Sequence, residues 1–226
     1  MWARHHCRVV RGRYMTAMTP SRLSPGEADA LLFDLGRVVL NIDFPRALAC
    51  WAGHAGCKPA EIAARWVVDE SYHHHEKGTL SDEAFFGNLR RALGVAITDE
   101  QFLEGWNAIF AGEMDGITPL LERAAKHFPL YAYSNTNRPH IAYFTNVHAD
   151  TLKPFRELYY SSSIGHRKPD AAGFDHVVKA IGVPASRIVF FDDLAENVEA
   201  ARACGLKAVR VRSSRDVAAA LDALGV

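Results

Sequence analysis

The sequence has no long apolar run, no clustered cysteines and no surplus of either charge, and each absence removes a class of protein from consideration. No stretch approaches the ~18 apolar residues that a membrane-spanning helix needs, so a membrane partner is not expected. Lysine plus arginine number 26 and aspartate plus glutamate number 26. Without a basic field, nucleic acid is not expected as a partner either. The four cysteines, Cys7, Cys50, Cys57 and Cys204, show neither CxxC nor any other metal-ligand spacing, which reads as reduced thiols in a cytoplasmic protein. There is no internal repeat and no low-complexity segment. What remains is a chain of 226 residues, 49% hydrophobic and 23% charged. That balance suits a globular protein with one large domain, or a core with a smaller insert.

Acidic residues are also missing locally. None precedes Glu27, whereas Arg4, Arg8, Arg11 and Arg13 crowd the start. No apolar h-region accompanies these arginines, so the stretch does not read as a secretion signal. Residues 1–28 are read as a disordered arm, or in part as sequence upstream of a start at Met15 or Met18, and are set aside from the fold.

Leu31 to Phe33 form a short apolar run that suits a strand buried on both faces, and Asp34 stands where it ends. Val38, Val39 and Leu40 predict a brief extended segment. From Pro45 to about Gly116 the pattern is helical: Ala47 to Ala55, then Glu61 to Val68 behind a first-turn proline. Ser81-Asp82-Glu83 caps a third helix, and the capping box Thr98-Asp-Glu-Gln101 opens a fourth carrying Phe102, Trp106 and Phe110. These apolar stripes predict a packed helical bundle without a cofactor. After Gly116 strands and helices alternate. Leu130 to Tyr133, Glu157 to Ser161, Arg187 to Phe191 and Ala208 to Val211 are the strands, and the helices between them carry Phe174, Val177 and Val198. Alternation of this kind predicts an α/β, doubly wound parallel sheet.

Three of the strands end in polar residues of complementary chemistry: Asp34, Ser134-Asn135 and Asp192-Asp193. Lys168-Pro169 lies between the second and third. Taken singly, each aspartate or serine reads more simply as a turn or helix cap, and Lys168 as a surface lysine. A parallel sheet, however, brings such strand ends to one edge. Their joint occurrence in this order is much less easily coincidence.

The order resembles the haloacid dehalogenase superfamily, whose four motifs are matched by Phe33-Asp34-Leu35-Gly36, Ser134-Asn135-Thr136, Lys168-Pro169 and Phe191-Asp192-Asp193 with Asn197. A closer similarity is to the bacterial α-glucose-1-phosphate phosphatase subgroup, through DLGRVVLNIDF, HEKGTLSDEAF, SNTNR, RKPD and FFDDLAENVEAA. The resemblance implies a Rossmann-like core over residues 29–43 and 116–226, with a helical cap over 44–115. It implies Asp34 as a nucleophile forming an aspartyl-phosphate, and Mg²⁺ held by Asp34, the Gly36 carbonyl and Asp193, with Asp192 in or near the coordination shell. Ser134 and the Asn135 N–H would hold phosphate, Lys168 would supply charge to phosphate and nucleophile, and Asn197 would orient the metal site or Lys168. The expected function is Mg²⁺-dependent hydrolysis of a small phosphorylated metabolite, a sugar phosphate such as glucose 1-phosphate. The expected assembly is a monomer or homodimer. The rival readings are a 2-haloacid dehalogenase, whose aspartate attacks carbon without a metal, and a non-catalytic relative.

One position departs from the commonest pattern. Most phosphatases of the superfamily carry a second aspartate two residues after the nucleophile, to protonate the leaving group and activate water. Here that position is Gly36. A glycine cannot transfer a proton, and such help is typically worth about 10²–10⁴-fold. Either the substrate has an acidic leaving group, such as an anomeric hydroxyl, or the proton comes from elsewhere. Asp43 and the run His73-His74-His75-Glu76, His75 above all, are the candidates. Tyr72, His75, Trp106 and Asn107 have the polarity or size to face the site from the cap, although Trp106 is better placed in its core.

Overall fold

The computed structural model describes residues 23–226. The arginine cluster, Cys7, Met15 and Met18 lie outside the described residues. Residues 23–28, assigned from sequence to the arm, pack on the core. Leu23 and Ala28 join the apolar interior, and the Gly26 and Glu27 carbonyls accept from Arg187 and Lys207.

The central strand is β1 (Ala30–Phe33), with all four residues buried. A short ribbon strand, β2 (Leu40–Ile42), follows, and then five helices: α1 (Phe44–Ala55), α2 (Pro59–Ala63), α3 (Glu70–Glu76), α4 (Asp82–Leu93) and α5 (Asp99–Asn107). Strand β3 (Phe110–Glu113) returns antiparallel to β2 and closes the insert. The remainder is α6 (Ile117–Ala125), β4 (Leu130–Ser134), α7 (Arg138–Val147), α8 (Ala149–Leu152), β5 (Phe155–Tyr160) and α9 (Ser161–Ile164). It ends with α10 (Ala171–Ile181), β6 (Ile188–Asp192), α11 (Ala195–Ala203), β7 (Lys207–Arg210) and α12 (Ser214–Ala223).

The large sheet has the order β5-β4-β1-β6-β7 with every pairing parallel. Successive side chains of a strand point to opposite faces, and β1 obeys this. Leu31 and Phe33 join the layer under α6, α7 and α12, while Ala30 and Leu32 join the layer under α10 and α11. Phe33 stacks on Phe191 of the neighbouring strand at 4.5 Å between centroids. A third apolar cluster, built on Trp51, Phe85, Leu89, Phe102 and Trp106, belongs to α1–α5. The predicted caps form, with Ser81 accepting from Ala84 N–H and Thr98 and Gln101 capping each other.

Three expectations are corrected. Phe110 lies in β3 rather than on a helical stripe, because α5 ends at Asn107 and the chain pairs with β2. The extended segment is Leu40–Ile42. Val38 and Val39 sit in a turn whose N–H groups converge on the Leu35 carbonyl. Finally, the helix expected over Glu61 to Val68 stops at Ala63, leaving Val67 and Val68 exposed.

Candidate active site

Because β1 lies between β4 and β6, the carboxyl ends of all three strands meet at one edge, where the chain turns from one side of the sheet to the other. Ligands of open α/β sheets bind at such a switch point. Asp34 directly follows β1, and its N–H still donates to the Phe191 carbonyl at 2.8 Å. Its Oδ1 accepts from the Leu35 N–H at 2.7 Å and lies 2.8 Å from Lys168 Nζ. Lys168 is 1% exposed and reaches a second carboxylate, Asp192 Oδ2, at 2.7 Å. A buried ammonium without such partners would be costly. Asp192 is further fixed by the Leu194 N–H at 2.8 Å and by Asn197 Nδ2 at 3.0 and 3.1 Å. Asn197 is thereby turned so that its own Oδ1 is buried without a protein partner.

Lys168 is held from below by Asn135. The Asn135 amide donates to the Lys168 carbonyl and accepts from the Lys168 N–H, both at 2.8 Å. Ser161 Oγ supports the adjoining turn through the Thr136 N–H and carbonyl. Asp34, Asp192 and Asp193 offer carboxylate oxygens that lie within 4.8 Å of one another. Burial pushes the Asp34 carboxyl up to about 7, with Lys168 opposing and Asp192 and Asp193 adding to the rise. Asp193 is raised by the same burial and by Asp192, against Lys168 and Arg37. Burial alone would pull the Lys168 ammonium down, but Asp192 and Asp34 outweigh it and the net shift is upward.

These groups open on a cavity of about 360 Å³. Asp34, Gly36, Arg37, Ser134, Asn135, Lys168, Asp193 and Asn197 line its sheet side, while Tyr72, Glu76, Ile109 and Phe110 close it from the insert. Asp192 supports the site from behind and does not line the cavity. Of the candidates for a proton donor, Glu76 lines the cavity, whereas Asp43 and His75 do not. Asp43 stands just before α1 and makes no side-chain hydrogen bond to the helix. His75 points into the insert, with Nε2 2.8 Å from Asp82 and its ring stacked 4.1 Å from Phe85. Among the expected cap contacts, Tyr72 does line the cavity. Trp106 is buried in the insert core, and Asn107 lies beside α7, away from the cavity.

Sequence context singles out neither Arg167 nor His140, and both line the cavity. Arg167 reaches Glu76 of α3, with Nε donating to Oε2 at 2.9 Å. His140, in the first turn of α7, is 7% exposed and also lines the cavity. Its Nε2–H donates to the Trp106 carbonyl at 2.9 Å and its Nδ1 accepts from Asn137 at 3.1 Å. Both nitrogens are spent, the ring is neutral, and burial pulls its pKa down to about 3. Asn137 in turn accepts from Trp106 Nε1 at 3.2 Å, so this network ties insert to sheet.

A family model described as haloacid dehalogenase-like hydrolase matches residues 28–205. The chain belongs to that family. It is 29% identical over 195 residues to the phosphatase MT3486 of Mycobacterium tuberculosis, covering 82% of this chain and 88% of that protein. It is 26% identical over 195 residues to drimenol cyclase drtB of Aspergillus calidoustus, covering 83% of this chain but 35% of that protein. The chain thus spans about a third of drtB, and half of an enolase-phosphatase E1 of Stenotrophomonas maltophilia that it also matches. Among solved structures it shares the fold of a haloacid dehalogenase family enzyme of Bacteroides thetaiotaomicron, crystallised with magnesium and inorganic phosphate. The TM-score is 0.72 at 23% identity, covering 82% of this chain and 95% of that one.

Proposed function

We propose that the protein is a phosphatase of small phosphorylated metabolites, working through an aspartyl-phosphate on Asp34 and dependent on Mg²⁺. The observation that carries this reading is the placement of Asp34 against Lys168 at 2.8 Å, beside two further carboxylates and facing a cavity of metabolite size. The match to a phosphatase over 82% of this chain and 88% of that protein supports it.

The donor set fits a hard divalent cation. Three carboxylates face one buried ammonium, all the donors are oxygens, and the Asp34 carboxyl is raised in their company. Mg²⁺ takes such oxygens and keeps sites for water and substrate phosphate. Asp34, Asp193 and the Gly36 carbonyl would hold it, with Asp192 and Asn197 behind them. When bound it supplies positive charge against the phosphoryl oxygens.

The rest is the work of this chain's own side chains. Lys168 opposes the burial that raises the Asp34 pKa, aims its carboxylate and gives a fixed charge to the phosphoryl group. Asn135 has committed its side chain to the Lys168 loop, so its backbone N–H is the group left for a phosphate oxygen, beside the Ser134 hydroxyl. Asp34 attacks phosphorus to give a covalent intermediate, which water then opens. Arg167, Glu76 and Tyr72 supply polar groups for the hydroxyls of a sugar phosphate, and Ile109 and Phe110 supply apolar wall for its carbon face. A sugar 1-phosphate such as glucose 1-phosphate is the substrate we favour, because its anomeric leaving group is comparatively acidic. The test is a phosphate-release screen over sugar phosphates with Mg²⁺, using Asp34→Asn as control. Preferred turnover of 1-phosphates, lost in the variant, supports the reading. Halide release from 2-haloacids that survives EDTA, with no phosphate release, would decide for a dehalogenase.

A further inference from the structure

Gly36 leaves the chemistry without its usual proton carrier, and the cavity wall narrows the search for a replacement. Among the described residues, the carboxylates lining the cavity are Asp34, Asp193 and Glu76. The first two belong to the nucleophile and cation cluster. His140 has both ring nitrogens engaged. Burial and the neighbouring carboxylate of Glu76 raise the Tyr72 hydroxyl far above the neutral range. Arg167 and Lys168 are already paired with carboxylates. Resting on the phosphatase reading above, we propose that Glu76 gives the proton to the departing oxygen and later takes one from water.

The fold brings this residue of the insert to the sheet edge by specific contacts. Tyr72 and Glu76 lie one turn apart on α3, and both reach the cavity while His75 between them faces the insert core. The end of α3 is clamped on the loop around Lys168 by Arg167 with Glu76 and by Lys77 with Asp170 at 3.3 Å. Gly78, with φ +69°, permits the close approach. A Cβ there would stand 2.2 Å from the Ser162 carbonyl oxygen of α9. Glu76 itself is 5% exposed. Burial raises its pKa, against Arg167, Tyr72 and His73, which lower it, and the net shift is upward.

The two half-reactions balance. First, an Asp34 oxygen bonds to phosphorus as the bond to the ester oxygen breaks, and the Glu76 proton moves to that oxygen, which leaves as an alcohol. Arg167 then faces the new carboxylate. Next, a water oxygen bonds to phosphorus, its proton passes to Glu76, and the acyl-phosphate bond breaks to return Asp34 and inorganic phosphate.

The experiment compares wild type and Glu76→Gln, with Mg²⁺, on p-nitrophenyl phosphate, a simple alkyl phosphate without other hydroxyls, and a sugar phosphate. kcat/KM of the variant is expected to fall about 10²–10⁴-fold on the alkyl and sugar esters and far less on the nitrophenyl ester, whose leaving group needs no proton. The variant should also accumulate phosphoenzyme, seen by intact mass after acid quench, because the water step has lost its base. An equal loss on all three esters, or a loss confined to the sugar phosphate, or no phosphoenzyme, would overturn the proposal while leaving the phosphatase reading intact. If wild type released phosphate from none of them, the reading and the proposal would fall together.

Discussion

Replacing Lys168 by Met keeps an unbranched stem and removes the ammonium, which also stands 5.5 and 5.4 Å from the ring centroids of Tyr133 and Phe190. What is left behind is Asp34 and Asp192, respectively 8% and 0% exposed, with Asp193 beside them. Removing one partner of a buried ion pair typically costs about 3–5 kcal/mol, because the remaining charge is uncompensated. Lys168 serves two carboxylates, so the upper part of that range is expected. The sign with pH is also set. The folded-state pKa of Asp34 is already about 7 against an ordinary value of 3.8, so the folded state binds the extra proton between those limits. Its contribution to stability therefore declines as pH rises through that window. Losing Lys168 pushes the carboxyls further up, and the deficit of Lys168→Met should widen from acid to neutral pH. Urea unfolding in EDTA at several pH values measures it. A deficit below about 1 kcal/mol at neutral pH, the level of an exposed pair, would refute the reasoning.

Three further outcomes follow from the same geometry. His140 ionises at about 3 when folded, against 6.5 ordinarily. The unfolded chain therefore binds the extra proton between these values, and about 2 kcal/mol should be lost between pH 8 and pH 5; the difference in unfolding free energy between wild type and His140→Gln across that range isolates this term. Gly78→Ala, strained by φ +69° and by the Ser162 carbonyl, should cost about 1–2 kcal/mol from the backbone alone. It should also lower kcat/KM by lifting α3 from the sheet edge, which differential scanning and steady-state assays would detect. Asp193→Asn should weaken Mg²⁺ binding by calorimetry without unfolding the chain, whereas equal affinity to wild type would remove Asp193 from the cation site.

The sheet and its polar edge were legible because each of the three central strands is a short apolar run ended by a charged or polar residue: Phe33 then Asp34, Tyr133 then Ser134, Phe191 then Asp192. The parallel order does the rest. β3 was not legible, since Phe110 continues a four-residue spacing from Phe102 and Trp106, and only pairing with β2 makes it a strand. Nor can the run His73-His74-His75-Glu76 say which member faces the sheet. Neighbouring residues on a helix point about 100° apart, and the choice of Glu76 over His75 is made by Phe85 and Asp82 of the next helix and by Arg167, which is distant in sequence. His140 carries no motif either. Its place is fixed by the Asn137 cap and the Trp106 carbonyl.

The central claim is that Asp34 takes the phosphoryl group. Acid quench of the working enzyme with its substrate, followed by peptide mass spectrometry, tests it most directly. The account predicts phosphate on the peptide carrying Asp34, absent in Asp34→Asn. Steady phosphate release by wild type, with no phosphorylated peptide at any quench time and undiminished release by Asp34→Asn, would contradict it.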